Sequence, residues 1–247
     1  MKLKLQVLIL FLLLCSFLTS AQQTNTKRES LTFFDDIVGI ENTKLYNGNR
    51  YYNIYKITED NHNFFFTPEY IKGEVVYDNE SFYNIDLKYD ALKDVLVSKL
   101  DDKKSFVNLE LIKNKVKSFI INEHKFINVD AFIGNNKALN GFAELIASNN
   151  NYTFLIKRKK EVRERIKGSK IVHLFNEANL YFLYLNGELH KIKSYKSLRK
   201  QFPDYEKAIK TYYESNKLLV KNNEYQFMVG LFKRLDETIN NTLPKND

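Results

Sequence analysis

The residues that could carry chemistry are few and scattered. The chain has 4 histidines, His62, His124, His173 and His190, and one cysteine, Cys15. No two histidines stand at the spacing that puts both imidazoles on one helix face, and a zinc centre needs three or four converging ligands. Asp35-Asp36 and Asp101-Asp102 are adjacent acids without the spaced oxygen ligands of a calcium loop, so they read as solvated turns. There is no G-x-S-x-G elbow, and the 8 glycines are too dispersed to build a phosphate loop. Ser197-Leu198-Arg199-Lys200 matches S-x-x-K by letter but lacks the S-D-N and K-T-G companions. It sits where a helix is expected to begin, which makes Ser197 a capping residue and Lys200 an exposed one. Two acids in a cleft would suffice for glycoside hydrolysis, yet nothing singles out a pair. These residues point to no catalytic centre, no metal and no cofactor.

Two clusters suggest contact rather than catalysis. The first is basic: Lys157, Arg158, Lys159, Lys160, Arg163 and Arg165, continued by Lys167 and diluted by Glu161 and Glu164. It reads either as a solvated strand end or as a contact for lipopolysaccharide, phospholipid heads or an acidic protein. The second is Phe64, Phe65 and Phe66, close to Tyr51, Tyr52 and Tyr55. Consecutive strand residues point to opposite faces, so three rings in a row demand cover on both. They read as a fully covered internal strand, an exposed apolar edge, or the wall of a lipid-holding cavity.

The N-terminus indicates where these clusters would operate. Lys2 and Lys4 are followed by an almost unbroken apolar stretch from Val7 to Leu18, and then by the small residues Thr19-Ser20-Ala21. That order predicts a signal peptide over 1–21, cleaved after Ala21, since a bilayer span wants roughly 20 apolar residues. Leu12, Leu13 and Leu14 precede Cys15 where a lipoprotein site wants a small residue. Cys15 is therefore expected to leave with the leader, and the mature chain to form no disulfide. The mature protein is expected in the periplasm or at the cell surface, with no transmembrane segment. The formal charge of +8 suits anionic surroundings, while export argues against nucleic acid as a partner.

The elements that must position these groups follow from hydrophobic period. After a disordered lead over 22–30, the stretch 31–193 reads as an antiparallel β domain. Gly73–Tyr77 and Phe82–Tyr89 flank the turn Asp78-Asn79-Glu80, with Tyr83, Ile85, Leu87 and Tyr89 alternating and Phe82 out of phase. Further strands are expected at Val95–Leu100, Phe106–Ile112, Val116–Ile121, Phe126–Val129, Phe142–Ala147, Tyr152–Ile156, Lys170–Phe175 and Tyr181–Leu185. Asn186-Gly187 then makes a tight turn into Leu189–Ile192. From Ser194 the period becomes helical, Pro203 interrupts it, and two or three helices are expected over 194–240, with a tail at 241–247. The fold class is α+β: an antiparallel meander, as a curved sheet or partly open barrel, followed by C-terminal helices packed on it.

Tyr181-Phe-Leu-Tyr-Leu-Asn-Gly-Glu-Leu-His-Lys-Ile-Lys-Ser194, Ser197-Leu198 and Phe202-Pro203-Asp204, with Gly73-Glu-Val-Val-Tyr77 and Leu87-Lys-Tyr-Asp90, resemble uncharacterised exported proteins of the Bacteroidota. The resemblance implies an envelope location and supplies no catalytic residue. The expected role is that of a non-enzymatic envelope protein binding a protein partner. The alternatives are a periplasmic carrier of a lipid or other apolar ligand and a hydrolase with an unrecognised site.

Overall fold

The computed structural model describes residues 28–33, 37–39, 42–102, 105–134 and 136–242. The expected signal peptide with Cys15, most of the expected lead, Asp35-Asp36 and the last five residues lie outside the described residues. The protein is an antiparallel sheet followed by helices. Eleven strands form one sheet: β1 (Gly48–Arg50), β2 (Ile71–Tyr77), β3 (Glu80–Asp90), β4 (Val95–Asp102), β5 (Ser105–Leu111), β6 (Val116–Ile121), β7 (His124–Asn128), β8 (Phe142–Ser148), β9 (Tyr152–Lys157), β12 (Leu180–Leu185) and β13 (Glu188–Ile192). Between β9 and β12 a separate two-stranded ribbon, β10 (Lys160–Lys167) and β11 (Lys170–Glu177), pairs only with itself. Among the described residues strands begin at Gly48 rather than near Leu31, and residues 28–33 are helical. Arg28 holds that turn to the sheet by an ion pair with Glu74, and its guanidinium lies 4.9 Å from the Tyr83 ring centre.

The strand order is β1-β5-β4-β3-β2-β6-β7-β8-β9-β12-β13. Strand β6 therefore lies four strand positions from β5, about 19 Å in a flat sheet. Yet only a 3₁₀ turn, Lys113–Lys115, joins Leu111 to Val116, and such a turn rises about 2 Å per residue. The sheet must roll up for the ends of β5 and β6 to meet. Asn128 seals the junction by donating to the carbonyls of Lys113 at 2.9 Å and Val116 at 3.0 Å. The roll stays unclosed, because β5 pairs with β1 instead of β6.

Inside the roll the apolar face of β2 to β8 forms an aromatic core. Phe119 stacks on Phe126 at 4.7 Å, and Tyr89 and Phe142 pack around them. These rings line the inner face of the rolled sheet. The out-of-phase Phe82 belongs to this core. Between the pairs Gly73↔Ile85 and Val75↔Phe82, β3 has one residue more than β2. Asn84 (φ 57°) absorbs the extra residue, so Phe82 and Ile85 both face inward.

The helices cover the same face further along, on β8, β9, β12 and β13. Among the described residues they are α2 (Tyr195–Gln201), α3 (Glu206–Ser215), α4 (Lys217–Asn222) and α5 (Glu224–Thr242), preceded by a short α1 (Val129–Ile133) between β7 and β8. The count after 193 is four rather than two or three, since turns at Asn216 and Asn223 split the last segments. Val129, expected in a strand, instead opens α1, whose N-cap Asn128 accepts the Asp130 N–H at 3.1 Å. Along α5, Phe227, Met228, Leu231, Phe232, Leu235 and Ile239 face the sheet, with Phe232 stacked on Phe154 at 4.6 Å. At the start of α2, Ser197 Oγ accepts the N–H groups of Lys193 and Ser194, so its hydroxyl is used in the cap. No helix among the described residues is long and apolar enough to cross a membrane.

Candidate functional site

The segment between β1 and β2 carries the phenylalanine run, and a buried carboxylate fixes it. Asp90, at the end of β3, is fully buried. Its Oδ2 accepts Tyr51 OH at 2.8 Å and Asn63 Nδ2 at 2.7 Å, and its Oδ1 accepts the N–H groups of Leu92 and Lys93, each at 3.0 Å. Burial, reinforced by the Asp90 charge, raises the Tyr51 hydroxyl far above its usual range, so it remains a donor. With four donors the carboxylate is satisfied and serves as a clamp.

From this clamp residues 63 to 65 run along the end of β3. Ala91 donates to the Asn63 carbonyl at 3.1 Å, and Phe65 donates to the Tyr89 carbonyl at 2.8 Å. The alternation sends Phe64 into an outer cluster with Tyr51, Val95 and Val97, and Phe65 into the aromatic core. Phe66 then breaks the pattern. Thr67 N–H bonds the Phe65 carbonyl at 2.7 Å, and Phe66 itself has φ 61°. A three-residue turn with a left-handed centre is rare and strained for any residue with a Cβ. The Phe66 ring is 62% exposed. Of the three rings, two are covered and one is held in solvent at a backbone cost.

The basic run meets this segment at the root of the ribbon, and half of it turns inward. Lys157 Nζ reaches Asp94 Oδ1 at 2.8 Å and donates to the carbonyls of Asn140 and Phe142. Burial lowers its pKa while Asp94 opposes the shift. Lys160 Nζ donates to the His62 carbonyl at 2.7 Å, and burial pushes its pKa down to about 8. His62 is buried; desolvation first and the Lys160 charge second push its imidazole down to about 4. Arg158 is buried too, its guanidinium 3.8 Å from the Tyr225 ring centre and 5.0 Å from that of Phe65. Lys159, Arg163 and Arg165 stay exposed. The structure thus brings Phe65 and Arg158 together and separates the inner cations from the outer ones.

Arg158 belongs to a polar cluster that sequence reasoning missed. Glu144 of β8 is buried, and its Oε1 lies 2.6 Å from His124 Nδ1 and accepts Tyr225 OH at 3.0 Å. Its Oε2 faces Arg158 Nη1 at 3.8 Å, and neither atom has a hydrogen-bond partner among the described residues. Arg158 Nη2 lies 3.6 Å from Glu177 at the end of β11. Glu144 follows Phe142 of the aromatic core and precedes Ile146 of the helical core on one face of β8, so the cluster stands where the two cores meet. It ties the β6–β7 turn, β8, the start of α5 and the ribbon root to one another. A signal existed: Glu144 is a lone acid in phase with Phe142 in an otherwise apolar strand.

No family model, curated protein or solved structure matches this chain. The site must therefore be read from its own geometry. The remaining histidines are apart from the cluster: His173 sits on β11 beside Glu164 at 3.6 Å, and His190 on β13 beside Glu188 at 3.8 Å. Two grooves, of about 760 Å³ beside Arg28, Phe33 and Tyr83 and about 560 Å³ beside Lys207, Tyr212 and Thr238, open to the outside. Phe66, Tyr52 (62% exposed) and Ile54 (76% exposed) are large apolar side chains left in solvent on the same clamped segment. Aromatic anchors on a rigid support are the composition of binding hot spots.

Proposed function

We propose that the chain is an exported envelope protein that works by binding a protein partner, with Phe66 as the anchor of the contact. One observation carries this reading: an aromatic side chain kept in solvent on a strained, left-handed backbone that glycine would occupy without strain. A buried hydrogen-bonded clamp at Asp90 holds the segment rigid, which lowers the entropy lost when a partner covers the ring. The N-terminal leader pattern over 1–21 and the resemblance to exported Bacteroidota proteins support the location. Rings packed through the roll favour a binding surface over a carrier's chamber.

The test compares wild type with Phe66→Ala and Phe66→Gly. A protein that co-purifies with the wild type from native envelopes is isolated and its affinity for each purified variant measured. Both variants are expected to weaken binding about 30-fold or more, as hot-spot truncations cost about 2 kcal/mol or above. A partner that binds Phe66→Ala as tightly as wild type refutes the reading.

A further inference from the structure

The ribbon leads to a second surface that does not depend on the Phe66 reading. Its root is fixed: Asn61 donates to the His173 carbonyl at 2.8 Å and accepts the Phe175 N–H at 3.0 Å, while Tyr55 packs edge-on against the Phe175 ring at 5.2 Å. Beyond that root the ribbon projects with both strands largely exposed. The register sorts its side chains. The pairs Arg163↔Leu174, Arg165↔Val172 and Lys167↔Lys170 share one face, and Glu164↔His173 and Ile166↔Ile171 share the other. Both acids of β10 are engaged elsewhere, Glu161 with Lys159 at 3.1 Å and Glu164 with His173 at 3.6 Å. Among the described residues none of Arg163, Arg165, Lys167 and Lys170 is paired with an acid.

We infer that this cationic face docks on an anionic lipid bilayer. Lys167 and Lys170 oppose each other directly across the ribbon, an arrangement that repels unless a negative surface faces it. The four cations frame Val172 and Leu174 on that face, Leu174 being 37% exposed, while Ile166 and Ile171 lie on the opposite face. A basic strip with a few aliphatic side chains suits the boundary between headgroups and acyl chains, where long cationic side chains reach the phosphates while apolar ones dip below. The strip runs about 13 Å along the strand at about 3.3 Å per residue. At two strands wide, about 10 Å, the strip covers on the order of 130 Å², far short of the roughly 800 Å² per partner of a standard protein interface. A lipid surface needs no such area, because each cation adds its own attraction.

The test is co-sedimentation of the mature chain with vesicles of equal parts phosphatidylglycerol and phosphatidylcholine, against phosphatidylcholine alone. Binding is expected only to the anionic vesicles, and to weaken as salt is raised. Each cation supplies about a five-fold gain, so Arg163→Ser with Arg165→Ser is expected to weaken binding about 30-fold. Ile166→Ser with Ile171→Ser, which changes only the opposite face, is expected to bind like wild type. Circular dichroism confirms that both pairs fold, and Phe66→Ala is expected to bind vesicles like wild type, which keeps this outcome separate from the partner reading. Equal binding to both vesicle types, an unaffected arginine variant, or binding to soluble inorganic polyphosphate without binding to vesicles overturns the inference.

Discussion

Removing the carboxylate of Glu144 is expected to destabilise the protein by about 3 kcal/mol, near the low end of the range for breaking a buried ion pair. Glu144→Ala takes away the 2.6 Å contact with His124, the 3.0 Å bond from Tyr225 and the charge facing Arg158 at 3.8 Å. Arg158 then stays buried with Glu177 alone, and that acid is 56% exposed and 3.6 Å away, so it offsets only part of the loss. For a domain of this size about 3 kcal/mol corresponds to a fall in Tm of roughly 6–12 °C. Arg158→Met should cost less, about 1–2 kcal/mol, because its stem still fills the gap between Phe65 and Tyr225 and Glu144 keeps its two other partners. The double variant Glu144→Ala/Arg158→Met removes both charges of the pair. It should recover about 1–3 kcal/mol relative to the sum of the single changes. Urea unfolding followed by far-ultraviolet circular dichroism reads all three, since the chain has no tryptophan. A Glu144→Ala loss below about 1 kcal/mol, or strict additivity in the double variant, would show that the cluster does not couple the two cores as argued.

Phe66→Gly is expected to raise stability by about 1 kcal/mol, the relieved strain exceeding the entropy glycine loses on folding, whereas Phe66→Ala keeps the strain and should gain nothing. Thermal melts separate the two; equal melting points would mean that the turn is unstrained. His62 is held near 4 by burial, below its unfolded value of about 6.5. The unfolded chain therefore takes up the proton first, so this contribution is complete above about pH 6.5 and fades as pH falls towards 4. Discounted for screening, it amounts to about 2 kcal/mol. The difference in unfolding free energy between wild type and His62→Gln, measured across that window, should slope accordingly and flatten outside it. Tyr152 OH donates to Asp236 Oδ1 at 2.7 Å across the helix–sheet contact. Tyr152→Phe should cost about 1.5–3 kcal/mol as a lost bond to a charged acceptor, and Asp236→Asn, which keeps an acceptor oxygen, should cost less in the same denaturation assay.

How far the fold was legible depended on whether a feature is local. The turns at Asp78-Asn79 and Asn186-Gly187 take the positive φ their residue types tolerate, and strands alternate wherever one face is buried. The roll was not legible in detail. It follows from the pairing of β2 with β6 while only a 3₁₀ turn joins β5 to β6, and that pairing is a long-range choice no window of sequence records. The basic run shows the same limit. Composition offered Lys157 to Arg165 as one patch, but period-2 alternation from Phe154 and Ile156 carries Arg158 onto the helix-covered face, while Lys157 points the other way to Asp94. The inner cations are thereby consumed in fixing the ribbon, and only those beyond the root are free to meet something else. Phe66 was hardest to foresee, because its exposure comes from a backbone reversal between Phe65 and the buried Pro68, not from its own polarity. A run of three identical residues thus holds three roles: Phe64 in the outer cluster, Phe65 in the core, and Phe66 turned out to solvent. A change at the buried Glu144 or Asp90 should therefore act on folding, whereas a change at the exposed Phe66 or Arg163 should leave the fold in place.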